Sequence, residues 1–416
     1  MSDPAGAARV LERCADLELV SARPGVLERT HLTPEHARAN QAVAEWLRAA
    51  GATSTWQDAA GNQWGRREGR RPGLPALVLG SHVDTVPDAG SFDGMLGVLM
   101  AVEVLERLGD RVDGLPFALE VVAFSDEEGT RFGSALLGSK AVAGLWDEAD
   151  WDLRDRDGIT LHQAFLDFGL DPRAVGDAAR DPASMVGYLE AHIEQGPYLE
   201  AAGASLGNVT SIAGARRFRL VFTGEARHAG GTPYPRRRDA LVGASEAIVA
   251  IERIARERDC IATVGRIEVS PGAVNVIPGR AVISLDLRAE ADAERDATWA
   301  ELERVLGEIC GRRNLELDVV EAHRADSAPC APWLQEAVTA GIRATGDDAP
   351  MDLWSRAGHD AMVMASVADI GMLFVRCADG ISHHPDEDVR AVDVEAGLHA
   401  LERAVLEVAA AVEDRT

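Results

Sequence analysis

Two apolar runs that break off into acids and histidines constrain this chain more than any other feature. Ala76-Leu77-Val78-Leu79-Gly80 stops at Ser81-His82-Val83-Asp84, and Phe117-Ala118-Leu119-Glu120-Val121-Val122-Ala123-Phe124 stops at Ser125-Asp126-Glu127-Glu128. Runs of this kind suit strands whose two faces are both covered. Between them, Met95 to Leu108 places Leu96, Leu99, Val102 and Leu105 on one face, with Glu103, Glu106 and Arg107 elsewhere, as in an amphipathic crossover helix. Strand, helix and strand in this order predict a parallel α/β unit, in which ligands gather beyond the carboxyl ends of the strands.

The segments around this unit extend the pattern. Residues 7–50 read as helical, broken at Pro24-Gly25 and Thr33-Pro34. From about residue 210 the period changes: Phe218, Leu220 and Phe222 alternate with polar neighbours, then come a helix from about Arg238 to Arg258, strands at Ile261 to Val269 and Ala281 to Arg288, a helix from about Ala291 to Gly311, and a strand from Leu315 to Glu321. The order βαββαβ is that of a split-βαβ, ferredoxin-like sandwich. After about Ala328 the chain returns to helices and buried-strand runs, including Gly371 to Arg376 and a last helix from about Val392 to Val412. The expected layout is an α/β domain of residues 1–209 and 325–416, interrupted by a smaller domain of residues 210–324. The Asp/Arg-rich stretch from Asp147 to Asp157 reads as a solvated loop or lid edge.

Charge narrows the partners. Forty-two Lys and Arg against 68 Asp and Glu give a net charge of -26, which argues against nucleic acid and anionic membrane surfaces. No apolar run approaches the roughly 20 residues of a spanning helix. The opening Met1-Ser2-Asp3-Pro4-Ala5-Gly6 lacks the basic and apolar regions of a secretory signal, so the expected location is the cytoplasm. Five scattered cysteines, Cys14, Cys260, Cys310, Cys330 and Cys377, fit buried reduced thiols better than a disulfide frame.

Chemistry concentrates at His82-Val83-Asp84, Phe92-Asp93-Gly94, Asp126-Glu127-Glu128, His192-Ile193-Glu194 and Ser382-His383-His384. All offer imidazole or carboxylate ligands, without thiolate, a set suited to Zn²⁺, Mn²⁺, Co²⁺ or Ni²⁺. In His-x-Asp, Asp84 has a mechanical use: its carboxylate can accept the other ring N–H of a ligating His82 and fix its tautomer. Asp93 has a second reading as the N-cap of the following helix. Of the adjacent pair Glu127-Glu128, one carboxylate can hold a metal while the other accepts a proton from an attacking water. Either His383 or His384 could serve as a ligand. On the Ala281 to Arg288 strand, alternation turns Arg288 out of the small domain's core, where a guanidinium can grip a carboxylate or simply meet solvent.

Together these segments resemble the M20 family of dinuclear metallohydrolases, in the branch of allantoate amidohydrolases, N-carbamoyl-amino-acid hydrolases and β-ureidopropionases. The likeness covers nearly the whole chain. Its carriers are Gly80-Ser81-His82-Val83-Asp84-Thr85, Phe92-Asp93-Gly94, Ser125-Asp126-Glu127-Glu128-Gly129-Thr130-Arg131-Phe132, His192-Ile193-Glu194-Gln195-Gly196-Pro197, His228-Ala229-Gly230, Asn275-Val276-Ile277-Pro278-Gly279 and Gly380-Ile381-Ser382-His383.

The resemblance implies a metal-binding α/β catalytic domain with an inserted ferredoxin-like lid that makes a homodimer contact. It assigns His82, Asp93 and His192 to one ion and Glu128 and His383 to the other, Asp93 bridging, with two divalent ions per subunit written as zinc or manganese. Glu127 becomes the general base, Asp84 stands behind His82 in the catalytic group, and His228 of the partner subunit reaches the oxyanion. Asn275 and Arg288 grip the substrate carboxylate from the lid, and Gln195 lies near the carbamoyl end. The expected substrate is a small anionic ureido compound. Ser125-Asp126 and the Gly371 to Cys377 wording favour allantoate over N-carbamoyl-L-amino acids or N-carbamoyl-β-alanine. An M20 exopeptidase and a non-catalytic metal-binding homologue stand further off, since Glu127 and all five ligand positions are present.

Overall fold

The computed structural model describes residues 4–415, and the expectation resting on Met1–Asp3 lies outside them. The chain forms two compact units, one running up to Thr210 and including Cys330–Leu353 and the chain from Ala357 onward, the other Ser211–Pro329 with Trp354–Arg356. The small contribution of Trp354–Arg356 to the second unit has no sequence signature: Ser355 O accepts the Ala213 N–H at 2.9 Å.

The first unit is built on a mixed sheet. Strands β1 (Ser54–Gln57), β2 (Gln63–Arg67), β3 (Ala76–His82), β4 (Ala118–Phe124), β5 (Met185–Ile193) and β6 (Leu206–Ile212) take the order β1-β2-β4-β3-β5, then strand Ile370–Val375, then β6. The four central strands β4, β3, β5 and Ile370–Val375 are parallel, in registers that set His82 opposite Phe124 and Phe374 opposite His192. Every residue of β3 and β4 is buried, which is why both read as unbroken apolar runs. Each Leu or Val buried there stabilises the unit by roughly 1.5–3 kcal/mol. The strands carrying site residues therefore all end at one edge of the sheet.

The helix Met95–Leu108 connects β3 to β4. It is less amphipathic than its sequence suggests, because the helices Pro4–Glu18 and Ala391–Arg415 cover the side turned away from the sheet. Glu103, expected on a polar face, is fully buried and takes ion pairs from Arg9 (3.1 Å to Nε) and Arg107 (3.3 Å). The Asp147–Asp157 stretch also differs from expectation. A short turn at Glu148–Asp152 packs Trp151 edge-on to Phe165 at 4.9 Å, and Asp155 accepts from Arg131 at 3.1 Å. Most of the charges face out while Asp155 turns in to Arg131 and Trp146 and Trp151 pack inward, a division that a count of charges alone misses.

The second unit holds β7 (Gly214–Thr223), β8 (Arg227–His228), β9 (Ile261–Thr263), β10 (Ile267–Ser270), β11 (Val276–Ile277), β12 (Arg280–Ala289) and β13 (Glu316–Ala325) together with two helices, Ala240–Glu257 and Asp292–Arg313. The sheet order is β10-β12-β7-β13, antiparallel throughout, with β9 also on β12. The single strand expected over Ile261 to Val269 is thus two short ones, interrupted at Val264-Gly265-Arg266. Phe218 stacks on Trp299 at 3.7 Å at the centre of this unit's own core. The two ends of the insert pair with each other, Ile212 with Ala328 and Ser211 with Pro329.

All five cysteines are buried free thiols, and among the described residues no helix is long and apolar enough to cross a membrane. The burial of Glu103 gives a direct test of the packing. Glu103→Gln, which leaves Arg9 and Arg107 facing a neutral side chain, should lower the unfolding free energy by about 2–4 kcal/mol in urea titration. An unchanged midpoint would show the ion pairs to be unimportant.

Candidate metal centre

Asp93 lies two residues before the helix Met95–Leu108 begins, yet it does not cap it. The N-cap position is Gly94, with no side-chain cap bond, and the Asp93 carboxylate turns toward the ends of the parallel strands. Only glycine fits at 94: its φ is +70°, and a Cβ would lie 2.4 Å from the His82 ring.

The carboxylate of Asp93 has two faces. Its Oδ1 lies 3.2 Å from His192 Nε2 and 3.7 Å from His82 Nε2. Its Oδ2 lies 3.0 Å from His383 Nε2, which is 3.3 Å from Glu128 Oε1. The five side chains thus form two groups, His82–Asp93–His192 and Asp93–Glu128–His383, with Asp93 in both and the ligand atoms of each group within 4.8 Å of one another. His384 is apart from them, exposed and 3.6 Å from Asp386.

Backbone contacts fix the imidazoles. His82 Nδ1 is 3.1 Å from the Asp84 carbonyl and His192 Nδ1 is 2.9 Å from the Ile193 carbonyl, so in the neutral ring each Nδ1 carries the proton and each Nε2 presents its lone pair. The Asp84 carboxylate lies behind the same nitrogen at 3.5 Å, so the residue faces the His82 ring with both its carbonyl and its side chain. The carboxylate also accepts the backbone N–H groups of Glu127 (2.9 Å) and Glu128 (3.1 Å) and so shapes the loop that carries both acids.

The local electrostatics are those of a site built around positive charge. Burial pushes the Glu128 carboxyl up to about 7, with the charge of Asp93 adding to it. Burial likewise raises Glu127 well above the usual carboxylate range, against the pull of His82. The bond to Asp93 pushes His383 up to about 9. Asp93 Oδ1 and His192 Nε2 are buried without a hydrogen-bond partner. Imidazole and carboxylate donors converging on such atoms fit borderline divalent ions, which can replace the protons held here.

The remaining candidates divide between the units. Gln195, at φ +56°, donates its Nε2 to Asp93 Oδ2 at 2.9 Å. In the second unit, β8 pairs with β11, which sets His228 opposite Val276, and Ala229 N–H donates to the Asn275 carbonyl at 2.9 Å. Gly231 N–H donates to His228 Nδ1 at 2.9 Å, so a neutral His228 carries its proton on Nε2, exposed and available as a donor. Arg288 is already held: Nε and Nη2 meet Asp286 at 2.9 and 3.2 Å, and Nη1 donates to the Arg356 carbonyl at 2.7 Å. Three of the five guanidinium N–H groups are thereby engaged.

Three residues had gone unnoticed. His359 packs edge-on to His192 at 4.4 Å, and Glu190 lies beneath it, accepting from Ser81 (2.8 Å), Tyr188 (3.1 Å) and Ala361 N–H (3.0 Å). Glu387 is buried against Phe92 and Asp93. Only the sequence Gly358-His359-Asp360 offered a hint, a His beside an Asp after a strand.

The model of peptidase family M20/M25/M40 matches residues 78–407. An allantoate deiminase of Arabidopsis thaliana is 39% identical over 423 residues, covering 94% of this chain and 80% of that protein. An N-carbamoyl-L-amino acid amidohydrolase of Geobacillus stearothermophilus is 38% identical over 403 residues, covering 96% and 98%. The crystal structure of a hydantoinase/carbamoylase-family amidase from Burkholderia multivorans superposes with a TM-score of 0.88 at 35% identity over 98% of both chains.

Because Asp93 serves both groups, the two groups should respond differently to substitution. By elemental analysis after metal loading, Asp93→Asn should lose bound divalent ion from the whole centre, whereas Glu128→Gln should lose only part of it. Equal metal content in the two variants would contradict the shared carboxylate.

Proposed function

Since the chain belongs to the M20/M25/M40 peptidase family, we propose that it is a metal-dependent amidohydrolase that cleaves the ureido C–N bond of a small anionic substrate, allantoate before others, releasing an amine, ammonia and CO₂. The observation that carries this reading is the carboxylate of Asp93, whose two oxygens face two separate sets of ligands. His82 and His192 with Asp93, and Glu128 and His383 with Asp93, would hold two divalent ions, zinc or manganese.

When bound, such a pair supplies Lewis acidity toward the carbamoyl oxygen and the attacking water, which a resonance-stabilised ureido group requires. The chain's own residues do the rest. Glu127, on the loop that Asp84 fixes through two backbone N–H groups, takes the proton of the attacking water and returns it to the leaving nitrogen. His228 presents Nε2–H to the developing oxyanion, and its Nδ1 is held by Gly231 in the tautomer this needs. Arg288, braced by Asp286, offers its remaining N–H groups to the substrate carboxylate together with Asn275. Gln195 orders the carbamoyl end. In this reading the second unit is a lid and a dimer contact, His228 acts in the partner's site, and the enzyme works in the cytoplasm.

Allantoate and N-carbamoyl-L-amino acids remain the two substrates to separate, since relatives named for each are 39% and 38% identical to this chain. Ammonia release by metal-loaded protein, measured on both and on N-carbamoyl-β-alanine, should be highest in kcat/KM on allantoate and should vanish with chelator. Glu127→Gln should keep its metal and fold while kcat falls by about 10²–10⁴-fold. Preference for a carbamoyl amino acid would change the substrate and keep the mechanism. Silence on all three with cleavage of dipeptides would make the chain an exopeptidase.

The carboxylate grip is tested separately. Arg288→Ala should raise KM for anionic ureido substrates by about tenfold or more, the loss of one charge-assisted pair. An unchanged KM would remove Arg288 from substrate binding.

A further inference from the structure

We propose that Glu387 is a positioning residue that keeps Asp93 Oδ2 turned toward His383 and Glu128 with its lone pairs free for an ion; the inference rests on the two-ion reading above. Glu387 lies outside every motif that carries the family likeness, and it is buried, with 5% of its surface exposed. Its Oε1 accepts the backbone N–H of Phe92 at 2.8 Å and of Asp93 at 3.0 Å. Its Oε2 lies 2.9 Å from Ser382 Oγ, and that hydroxyl is in turn 3.0 Å from Asp93 Oδ2. One carboxylate therefore ties the segment that bears Asp93 to the segment that bears His383, 290 residues later in the chain.

The fit is specific to this side chain. A Cβ at Gly90 would come within 2.3 Å of Glu387 Cβ, so the turn before Phe92 closes over Glu387 only because residue 90 has no side chain. Three donors converge on Glu387: two backbone N–H groups and the Ser382 hydroxyl. An ionised carboxylate only accepts, so it draws the single Ser382 proton toward itself. Asp93 Oδ2 then keeps only the Gln195 N–H as a hydrogen-bonded donor among the described side-chain contacts of that oxygen with uncharged groups.

An amide at 387 would reverse this arrangement. Its NH₂ would donate to Ser382 Oγ and turn the hydroxyl proton onto Asp93 Oδ2, in competition with an ion there. The effect should fall on the His383–Glu128 half. His82 and His192 are held by the carbonyls of Asp84 and Ile193 and meet Asp93 through Oδ1, whereas the Ser382 hydroxyl meets Oδ2.

The test is calorimetric titration of the metal-free full chain with Mn²⁺, using His383→Ala to identify the step that belongs to the His383–Glu128 half. Wild type should take up two ions. Glu387→Gln should weaken that step about 10–100-fold, the usual cost of losing a group that orients a ligand, and leave the other step and the thermal midpoint within error. Adding Ser382→Ala to Glu387→Gln removes the redirected hydroxyl and should recover part of the lost affinity. Unchanged steps, equal weakening of both with a fall in the midpoint, or no recovery in the double variant would overturn the proposal while leaving the two-ion reading intact. A wild type that binds a single ion would overturn that reading, and this inference with it.

Discussion

A carboxylate buried among three imidazoles, with a second carboxylate nearby, is a stable arrangement only if positive charge is shared among them. Asp93 is that carboxylate. Burial would raise its pKa, but His192, His383 and His82 together hold it well below the usual range. Protons can supply the positive charge, and so can divalent ions, which satisfy more of the ligand lone pairs at once. The fold serves this one group. Four parallel strands end at the same edge, Gly94 lets the helix pass against the His82 ring, and the Asp84 carboxylate fixes the loop that brings Glu128 to the opposite face. The net charge of -26 makes the same point at larger scale: an anionic substrate would be captured by local cations and Arg groups rather than by the field of the whole protein.

In the proposed reading, two groups of the second unit are held ready by their own neighbours. Gly231 sets the proton position of His228 through a backbone bond, and Asp286 orients the Arg288 guanidinium at the expense of some of its donors. A braced Arg loses less conformational freedom on meeting a carboxylate than a free one would. It also shares its charge with Asp286, so its grip should be more selective than strong.

Much of the fold could be read from residue patterns, for definite reasons. Strands β3 and β4 are buried on both faces and so appear as unbroken apolar runs, and the alternation of Phe218, Leu220 and Phe222 reflects a sheet covered by helices on one face. His82, Asp93, Glu128 and His192 were visible because they sit at or just past a strand end or just before a helix, whereas His383 stood out only through the family wording around Ser382. What escaped notice depended on contacts distant in sequence. Glu103 is buried because other helices cover its helix, and Glu387 matters because it reaches residues 92 and 93. Asp84 meets the ring of His82 through its backbone carbonyl at 3.1 Å as well as its carboxylate at 3.5 Å, a doubling that spacing does not show.

The central claim is that two ions share Asp93, and anomalous scattering from crystals of the zinc-loaded protein, collected at the zinc edge, tests it most directly. The account predicts two peaks, one beside Asp93 Oδ1 with His82 and His192, the other beside Oδ2 with Glu128 and His383. A single peak, or one lodged instead among Glu190, His192 and His359, a third group whose ligand atoms also lie within 4.8 Å of one another, would contradict it.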